Sequence, residues 1–337
     1  MAEIPLAQQI GVERVRDNEY VSTACPAHLG NARPIAYGGN TIALAIHAAC
    51  KTVSPVLSLY SALGHFLGPA QIDRHVYARV SHLRDTKTFA TRQVTLHQVL
   101  DDGAERRCLV LLADFHRGEP TSTSFSPPLF AKYARPEQYP SPDQLHTALA
   151  AQGKLNEKTW RIFYSVLGYQ SSFFEQRLCT EGVSGQNLSG IAKTVQTTCD
   201  HLDLTQKTSA EWLRAQHPLC SHAEQVSALG FLMDDGLALL PLAHDHRFID
   251  EVAVASSLEF ALRVFSSSFD LNRWHIRERK TTAANAGRTY SEAKLWDEEG
   301  KIVAEMTQQC IIRARLPEER IFGVEITVMA SISSGFM

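Results

Sequence analysis

The sequence predicts an α+β protein made of two tandem halves, each an antiparallel sheet wrapped around one long central helix. Three observations lead there. One apolar helix followed by a run of strand-like segments occurs twice along the chain. A Pro- and Ser-rich stretch separates the two occurrences. Turns of the same chemistry, acidic residues ahead of a glycine, stand at the same relative place in each half. A helix that is apolar almost all round must be enclosed, and a meander curled about it is the simplest enclosure for this order of elements.

In the first half, Gly38-Gly39-Asn40 opens a run carrying Ile42, Leu44, Ala45, Ile46, Ala48 and Ala49. Small and apolar side chains on nearly every side predict a buried helix rather than a surface one. A strand over 57–67 follows, and then Val76, Ala78 and Val80 alternate with Tyr77, Arg79 and Ser81 at the period of a strand. Residues 89–96 form a third strand and 107–115 a continuous apolar fourth, with Asp101-Asp102-Gly103 turning the chain between them. Between residues 119 and 143 stand Pro120, Pro127, Pro128, Pro136, Pro140 and Pro142, which oppose both helix and ladder pairing. This stretch is expected to be an interdomain linker laid over the surface. The predicted organisation is thus a first domain over 1–118, a linker over 119–158 and a second domain over 159–337.

The second half repeats the order. Residues 225–240 predict a largely apolar helix interrupted at Asp234-Asp235-Gly236. Strands are expected at 252–265, 273–280, 290–296 and 302–313, with a turn at 297–300. Residues 179–210 are polar, hold Gly182, Gly185 and Gly190, and show no period, so a loop or lid over the second half is expected there.

Composition narrows the function classes. The chain has 337 residues, 44% of them hydrophobic and 20% charged, enough for two ordinary globular cores. A formal net charge of -3 provides no basic field for nucleic acid or an anionic membrane, so an anionic ligand would need a local basic patch. No apolar run reaches the roughly 20 residues that span a bilayer, and the N-terminal stretch lacks the apolar centre of a signal peptide. Cys25, Cys50, Cys108, Cys179, Cys199, Cys220 and Cys310 are dispersed without a C-x-x-C pair, the pattern of reduced thiols in an intracellular protein without a zinc site. The chain ends SSGFM, which is not an SKL-type address, so the cytoplasm is the default compartment.

Several segments taken together resemble the acyl-CoA thioesterase II family, whose members carry two hot-dog domains in one chain. In the first half these are AYGGNTIALAIHAAC (36–50), LYSALGHFLGP (59–69), VSHLRDTKTFATRQV (80–94) and LLADF (111–115). In the second half they are SALGFLMDDGLALL, SSLEFALRVF and MTQQCIIR. Their specificity lies in number, order and spacing. The resemblance implies two tandem hot-dog domains, hydrolysis of an acyl-CoA or related thioester without a cofactor, and a catalytic set at Asp234, Ser257 and Gln308. It also leaves a homo-oligomer and a peroxisomal location open. Two positions depart from the family's pattern: Glu259-Phe260 stands for Asp-His, and Gly68 for the Arg before Pro69. Both departures point to an unusual acyl group.

A thioester carbonyl is electrophilic and its thiolate leaves readily, so a positioned water polarised by a carboxylate suffices for hydrolysis. A serine hydroxyl and a glutamine amide can each hydrogen-bond such a water and aim it. A helix N-terminal N–H can receive the developing oxyanion. Taken singly, Asp234 reads as a cap or turn residue, Ser257 as a strand hydroxyl bonded to backbone, and Gln308 as an inward strand residue beside an outward Gln309. Gly38 and Gly39 read either as a close-packing turn or as part of the acyl path. Arg84 and Arg92, with Arg74, Arg79 and Lys87, form the best local basic group for coenzyme A phosphates; Arg279, Lys280 and Arg288 form a second.

Two other classes stay open. A hot-dog protein could bind or remodel a polyketide-type acyl intermediate without hydrolysing it. His246-Arg247-Phe248-Ile249-Asp250 has the H-x-x-x-D spacing of some acyltransferases, with His246 as base. No G-x-S-x-G elbow, phosphate-binding loop or dinucleotide glycine pattern is present.

Overall fold

Among the described residues, twelve strands join into one antiparallel sheet that encloses two long helices. The structure is a computed structural model and describes residues 4–29, 33–155, 157, 160–161 and 171–315. The C-terminal residues 333–337, from which the compartment was read, lie outside the described residues. The chain opens with a short helix α1 (Leu6–Gln9), the ribbon β1 (Val12–Arg16) and β2 (Glu19–Ser22), and the first long helix, α2 (Gly38–Cys50). Four strands follow: β3 (Leu57–Phe66), β4 (Tyr77–Asp85), β5 (Phe89–Val99) and β6 (Glu105–Arg117). After helix α3 (Pro142–Ala151) come β7 (Phe174–Leu178), α4 (Ser184–Asn187), β8 (Ser209–Ala215) and the second long helix, α5 (His222–Met233). Helix α6 (Leu240–His244) then leads into β9 (Val252–Val264), β10 (His275–Asn285), β11 (Arg288–Asp297) and β12 (Ile302–Ala314).

The strand order is β1-β2-β4-β5-β6-β3-β9-β12-β11-β10-β8-β7. Each half therefore contributes the first strand after its long helix to a central seam, where Ser61 stands opposite Arg263 and His65 opposite Glu259. The halves share more than the seam. One apolar cluster holds Ile42 and Ile46 of α2 together with Leu229 and Leu232 of α5, so the two helices form a common core. Glycines set their spacing. A Cβ on Gly39 would lie 2.5 Å from the Phe231 carbonyl oxygen, and one on Gly230 would lie 2.8 Å from Ile46 Cδ1. The helices approach backbone to backbone at the first point and backbone to side chain at the second, which only residues without a Cβ allow.

The Pro-rich stretch does lie over the outside of the second half. Trp296 Nε1 donates to the Pro127 carbonyl at 3.1 Å, Trp212 Nε1 to the Ala134 carbonyl at 3.1 Å, and Tyr133 Oη to Glu278 Oε1 at 2.6 Å. One part of it is helical against expectation. Ser141 and Gln144 form a capping box with Pro142 at the first position of α3, a start signal that the proline count obscures.

Residues 179–210 are mostly turns and irregular chain, as expected of a loop, but part of the segment packs inside the fold instead of lying over it as a lid. Val183, Ser184, Asn187, Ile191 and Ala192 are buried, and Asn187 Nδ2 donates to the Ala243 carbonyl at 2.8 Å. The segment lacks a period because it is rich in turns, and some of its polar side chains, such as Asn187, satisfy backbone groups inside the fold. Strands β1, β2, β7 and β8 also went unpredicted. β1 is exposed after Val12 and shows no alternation, while β8 is buried from Ser209 to Leu213 despite carrying Glu211.

If the Gly39–Phe231 approach sets the helix spacing, Gly39→Ala should lower stability by about 1–3 kcal/mol, the usual cost of overpacking a filled site. A urea titration would show this as a lower midpoint at unchanged slope; an unchanged midpoint would mean that the helices can part without cost.

Candidate active site

Helix α5 begins with a capping box of Ser221 and Glu224 and ends at Met233, leaving Asp234 as its C-cap with helical backbone angles. Gly236 then turns the chain at φ +77°, a conformation that favours glycine. Because α5 ends against the start of α2, the Asp234 carboxylate meets the Gly39 backbone N–H and lies beside Gly38, where a Cβ would sit 2.9 Å from Oδ2. Gln308 Nε2 donates to Asp234 Oδ1 at 2.5 Å. Burial pushes the Asp234 carboxyl up to about 6, opposed by the Gln308 hydrogen bond, raised further by the neighbouring Asp235 and lowered by Gly39 N–H and Arg277.

The Gln308 amide is itself held. Cys310 Sγ donates to Gln308 Oε1 at 3.4 Å, which turns the amide nitrogen toward Asp234. Ser257 stands opposite Cys310 and is hydrogen-bonded to its thiol. A β-bulge makes this possible. Gln309 pairs with Glu259 but Cys310 pairs with Ser257, so Leu258 is the extra residue. Phe260, opposite Gln308, faces inward, and without the bulge Ser257 would face out. The structure thus links Asp234, Gln308, Cys310 and Ser257 in one hydrogen-bonded run. Cys310 was not foreseen, since a lone strand cysteine carries no signal in sequence.

Asp234 and Ser257 line a cavity of about 590 Å³ that also takes in Tyr37, Gly38 and Phe66. The Phe66 ring packs on Phe260 at 5.8 Å, and Gly64 leaves the room for it: a Cβ there would lie 2.5 Å from the Phe260 ring. The wall next to the carboxylate is therefore aromatic.

Behind Asp234 lies a buried ion cluster that sequence reasoning missed. Arg277 donates to Asp235 Oδ2 at 2.8 Å, to Glu211 Oε1 at 2.6 Å and to the Leu232 carbonyl in the last turn of α5. Arg279 donates to Glu211 Oε2 at 2.5 Å and to the Asp235 carbonyl at 3.3 Å. The cluster fixes the end of α5 and so the position from which Asp234 projects. Its one sequence signal was the pair Arg277 and Arg279, two residues apart on one face of a strand.

The remaining candidates fall elsewhere. Arg92 is 2% exposed, with its guanidinium bonded to Thr52, Asp85 and the carbonyls of Arg84 and Thr91. Arg84 lies over the Phe89 ring at 4.7 Å, and neither arginine lines the cavity. Arg279 belongs to the buried cluster, and Lys280 lies over the Phe130 ring at 4.5 Å. The basic strand face does not reach the site because Arg92 is needed to tie β5 to the end of α2. His246 bonds to Asp200 at 2.7 Å and Asp250 to Lys193 at 2.8 Å, so the H-x-x-x-D residues are paired apart from each other and from the cavity. Among the described residues, no group of His, Cys, Asp and Glu is arranged to hold a metal ion, and no helix is long and apolar enough to cross a membrane.

The raised Asp234 carboxyl has a consequence for stability. Its ordinary value is 3.8 and its folded value about 6, so the unfolded chain ionises first. Folding is then opposed progressively as pH rises from about 4, with the full cost above about 6. Asp234→Asn should raise stability at pH 7 by about 1–3 kcal/mol and flatten the pH dependence between 4 and 6. Urea unfolding across that range measures both; a variant less stable at pH 7 than at pH 4 by the wild-type margin would show that Asp234 is not the group.

Two family models match the chain in order: the acyl-CoA thioesterase N-terminal domain over residues 26–116 and the C-terminal domain over residues 184–312. No curated protein matches. Among solved structures, an acyl-CoA thioesterase II from Mycobacterium marinum superposes with a TM-score of 0.66 at 17% identity, covering 92% of this chain and 98% of that one. A tesB protein from Mycobacterium avium subs paratuberculosis gives 0.64 at 16% identity over 91% and 98%. A hot-dog protein of unknown function from Alicyclobacillus acidocaldarius gives 0.63 at 13% identity over 92% and 98%. At these identities the superpositions establish the fold, two tandem hot-dog domains. With both family domains present in order over more than half of its length, the chain belongs to the acyl-CoA thioesterase family.

Proposed function

We propose that this thioesterase cleaves its substrate by direct attack of a water activated by Asp234, without an acyl-enzyme intermediate. The observation that carries the reading is a buried carboxylate, pushed up to about 6, that faces a cavity and is held from behind by Gln308. A base near neutrality combines a large ionised fraction at pH 7 with useful proton affinity, an effect worth about 10²–10⁴ in rate. Water oxygen bonds to the thioester carbonyl carbon as its proton passes to Asp234. Collapse of the tetrahedral intermediate then breaks the C–S bond, and the proton returns to the departing thiolate. The Ser257 hydroxyl, which lines the cavity, is the group placed to orient the water, while Gln308, fully buried outside the lining, orients the Asp234 carboxylate. The N-terminus of α2, whose Gly38 lines the cavity, offers positive potential for the developing oxyanion.

The acyl group is the finer question. Phe260 and Gly68 replace the family's His and Arg, and Phe260 backs the Phe66 wall beside Asp234. We therefore place the acyl group outside the ordinary straight-chain fatty series, with a polyketide-type acyl thioester as the first substrate class to try. The acyltransferase reading loses its support, because His246 is bonded to Asp200 away from the cavity.

Thiol release from a graded panel of acyl-CoAs tests the proposal. kcat/KM should rise with pH through about 6 and level above it, and Asp234→Asn should lower kcat by about 10²–10⁴-fold. Retained release in that variant would remove Asp234 from the reaction. No release from any acyl chain would favour a hot-dog protein that binds or remodels its acyl ligand instead.

A further inference from the structure

The hydrolytic step assigns a task to every member of the hydrogen-bonded run except Cys310. Counting protons along the run gives it one. Gln308 Nε2 donates to Asp234 Oδ1, so the amide turns its carbonyl oxygen away from the carboxylate and toward Cys310. Gln308 and Cys310 are each 0% exposed and lie outside the cavity lining, and the donor to that oxygen is the Cys310 Sγ–H at 3.4 Å. A thiol has one proton. Once it is given to Gln308, the bond between Cys310 and Ser257 has to run the other way, from the Ser257 hydroxyl to Sγ. Burial pushes the Cys310 thiol well above its ordinary range, so its proton stays in place across neutral pH.

Ser257 lines the cavity, and a serine hydroxyl has one proton and two lone pairs. With the proton turned to Cys310, only the lone pairs face the cavity. We infer that Cys310 is a positioning residue that makes Ser257 a hydrogen-bond acceptor toward the cavity and holds the Gln308 amide in the orientation that serves Asp234. A water between two acceptors, the Asp234 carboxylate and Ser257 Oγ, donates one proton to each and keeps a lone pair for the thioester carbonyl carbon. A serine free to rotate would also donate to that water and occupy the lone pair needed for attack. Cys310 lies on β12 outside the lining, so its effect passes through Ser257 and Gln308 and not through contact with substrate. This rests on the hydrolytic site proposed above.

Two variants and one spectrum test it. In Cys310→Ala, Gln308 Oε1 loses its donor and the amide is released from Asp234. The Gln308 bond lowers the Asp234 carboxyl, so losing it raises that carboxyl. The rising limb of kcat/KM should move up by about one pH unit, and kcat on the plateau should fall about ten- to a hundredfold. Cys310→Ser, which keeps one proton and an acceptor at the same place, should recover most of both. A packing role predicts no such recovery, since serine leaves nearly the same space as alanine and buries a hydroxyl as well. An unmoved limb in Cys310→Ala, or a serine variant as impaired as the alanine one, overturns the inference. The direction of the run is read without turnover from the infrared S–H stretch of Cys310, isolated as the difference between each protein and the same protein carrying Cys310→Ser. Ser257→Ala should leave the stretch at its hydrogen-bonded frequency, and Gln308→Met should raise it to that of a free thiol. A raised stretch in Ser257→Ala, or an unmoved one in Gln308→Met, overturns the inference. If the wild type releases no thiol from any acyl-CoA, the hydrolytic reading fails on its own, and the S–H stretch still decides which way Cys310 donates.

Discussion

Helix α5 ends where helix α2 begins, and the contact between those two helix ends governs the site. A carboxylate at a helix C-terminus lies at the negative end of its own dipole, an unfavourable place for a charge. Asp234 occupies that place, and burial raises the cost of ionising it further. What makes the ionised form reachable near neutrality is the neighbouring helix, which turns its N-terminus and the Gly39 N–H toward the same carboxylate, together with the Gln308 amide. The close approach needs Gly39, because any side chain there would strike the Phe231 carbonyl or the Tyr37 ring.

Such an arrangement cannot be held by apolar packing alone, since the end of a helix leaves carbonyls without intrahelical partners. Arg277 takes the Leu232 carbonyl and Asp235 together and is itself held by Glu211 on β8. Buried ion pairs of this kind add little net stability relative to a well-packed apolar core, yet removing one partner is costly. Their value here is positional. They lock the residue after Asp234 to two strands of the sheet, so the carboxylate direction follows from the sheet and not from a flexible turn.

The same chemistry explains how much could be read in advance. The long helices and the eight strands of the two meanders were legible because they are apolar at a regular period, whereas Asp234, Ser257 and Gln308 were singled out as candidates only through their order in a family. β8 was not, since Glu211 breaks its apolar run and its compensating arginines lie more than sixty residues downstream on β10. The inward direction of Ser257 depends on a bulge at Leu258, which no alternation pattern predicts. The basic residues were legible as a composition of strands, but whether a guanidinium is free or spent on Thr52 and Asp85, as in Arg92, is a property of tertiary structure.

The enclosing sheet treats the two ends of the helix pair alike, but the sequence does not. At one end α5 finishes on Asp234 against the glycines that open α2. At the other end α2 finishes on Lys51, and α5 opens on Ser221 and Glu224, whose side chains are occupied in capping their own helix. A second carboxylate facing a foreign helix N-terminus is therefore missing there. The contributions at the populated end are divided in turn. The first half supplies the helix N-terminus and the Phe66 wall, while the second supplies the carboxylate, amide and hydroxyl. Since the halves meet through β3–β9 pairing and a common helix core, neither half can assemble this site alone. Joining the two domains in one chain lets a repeated fold build an asymmetric candidate site from both halves.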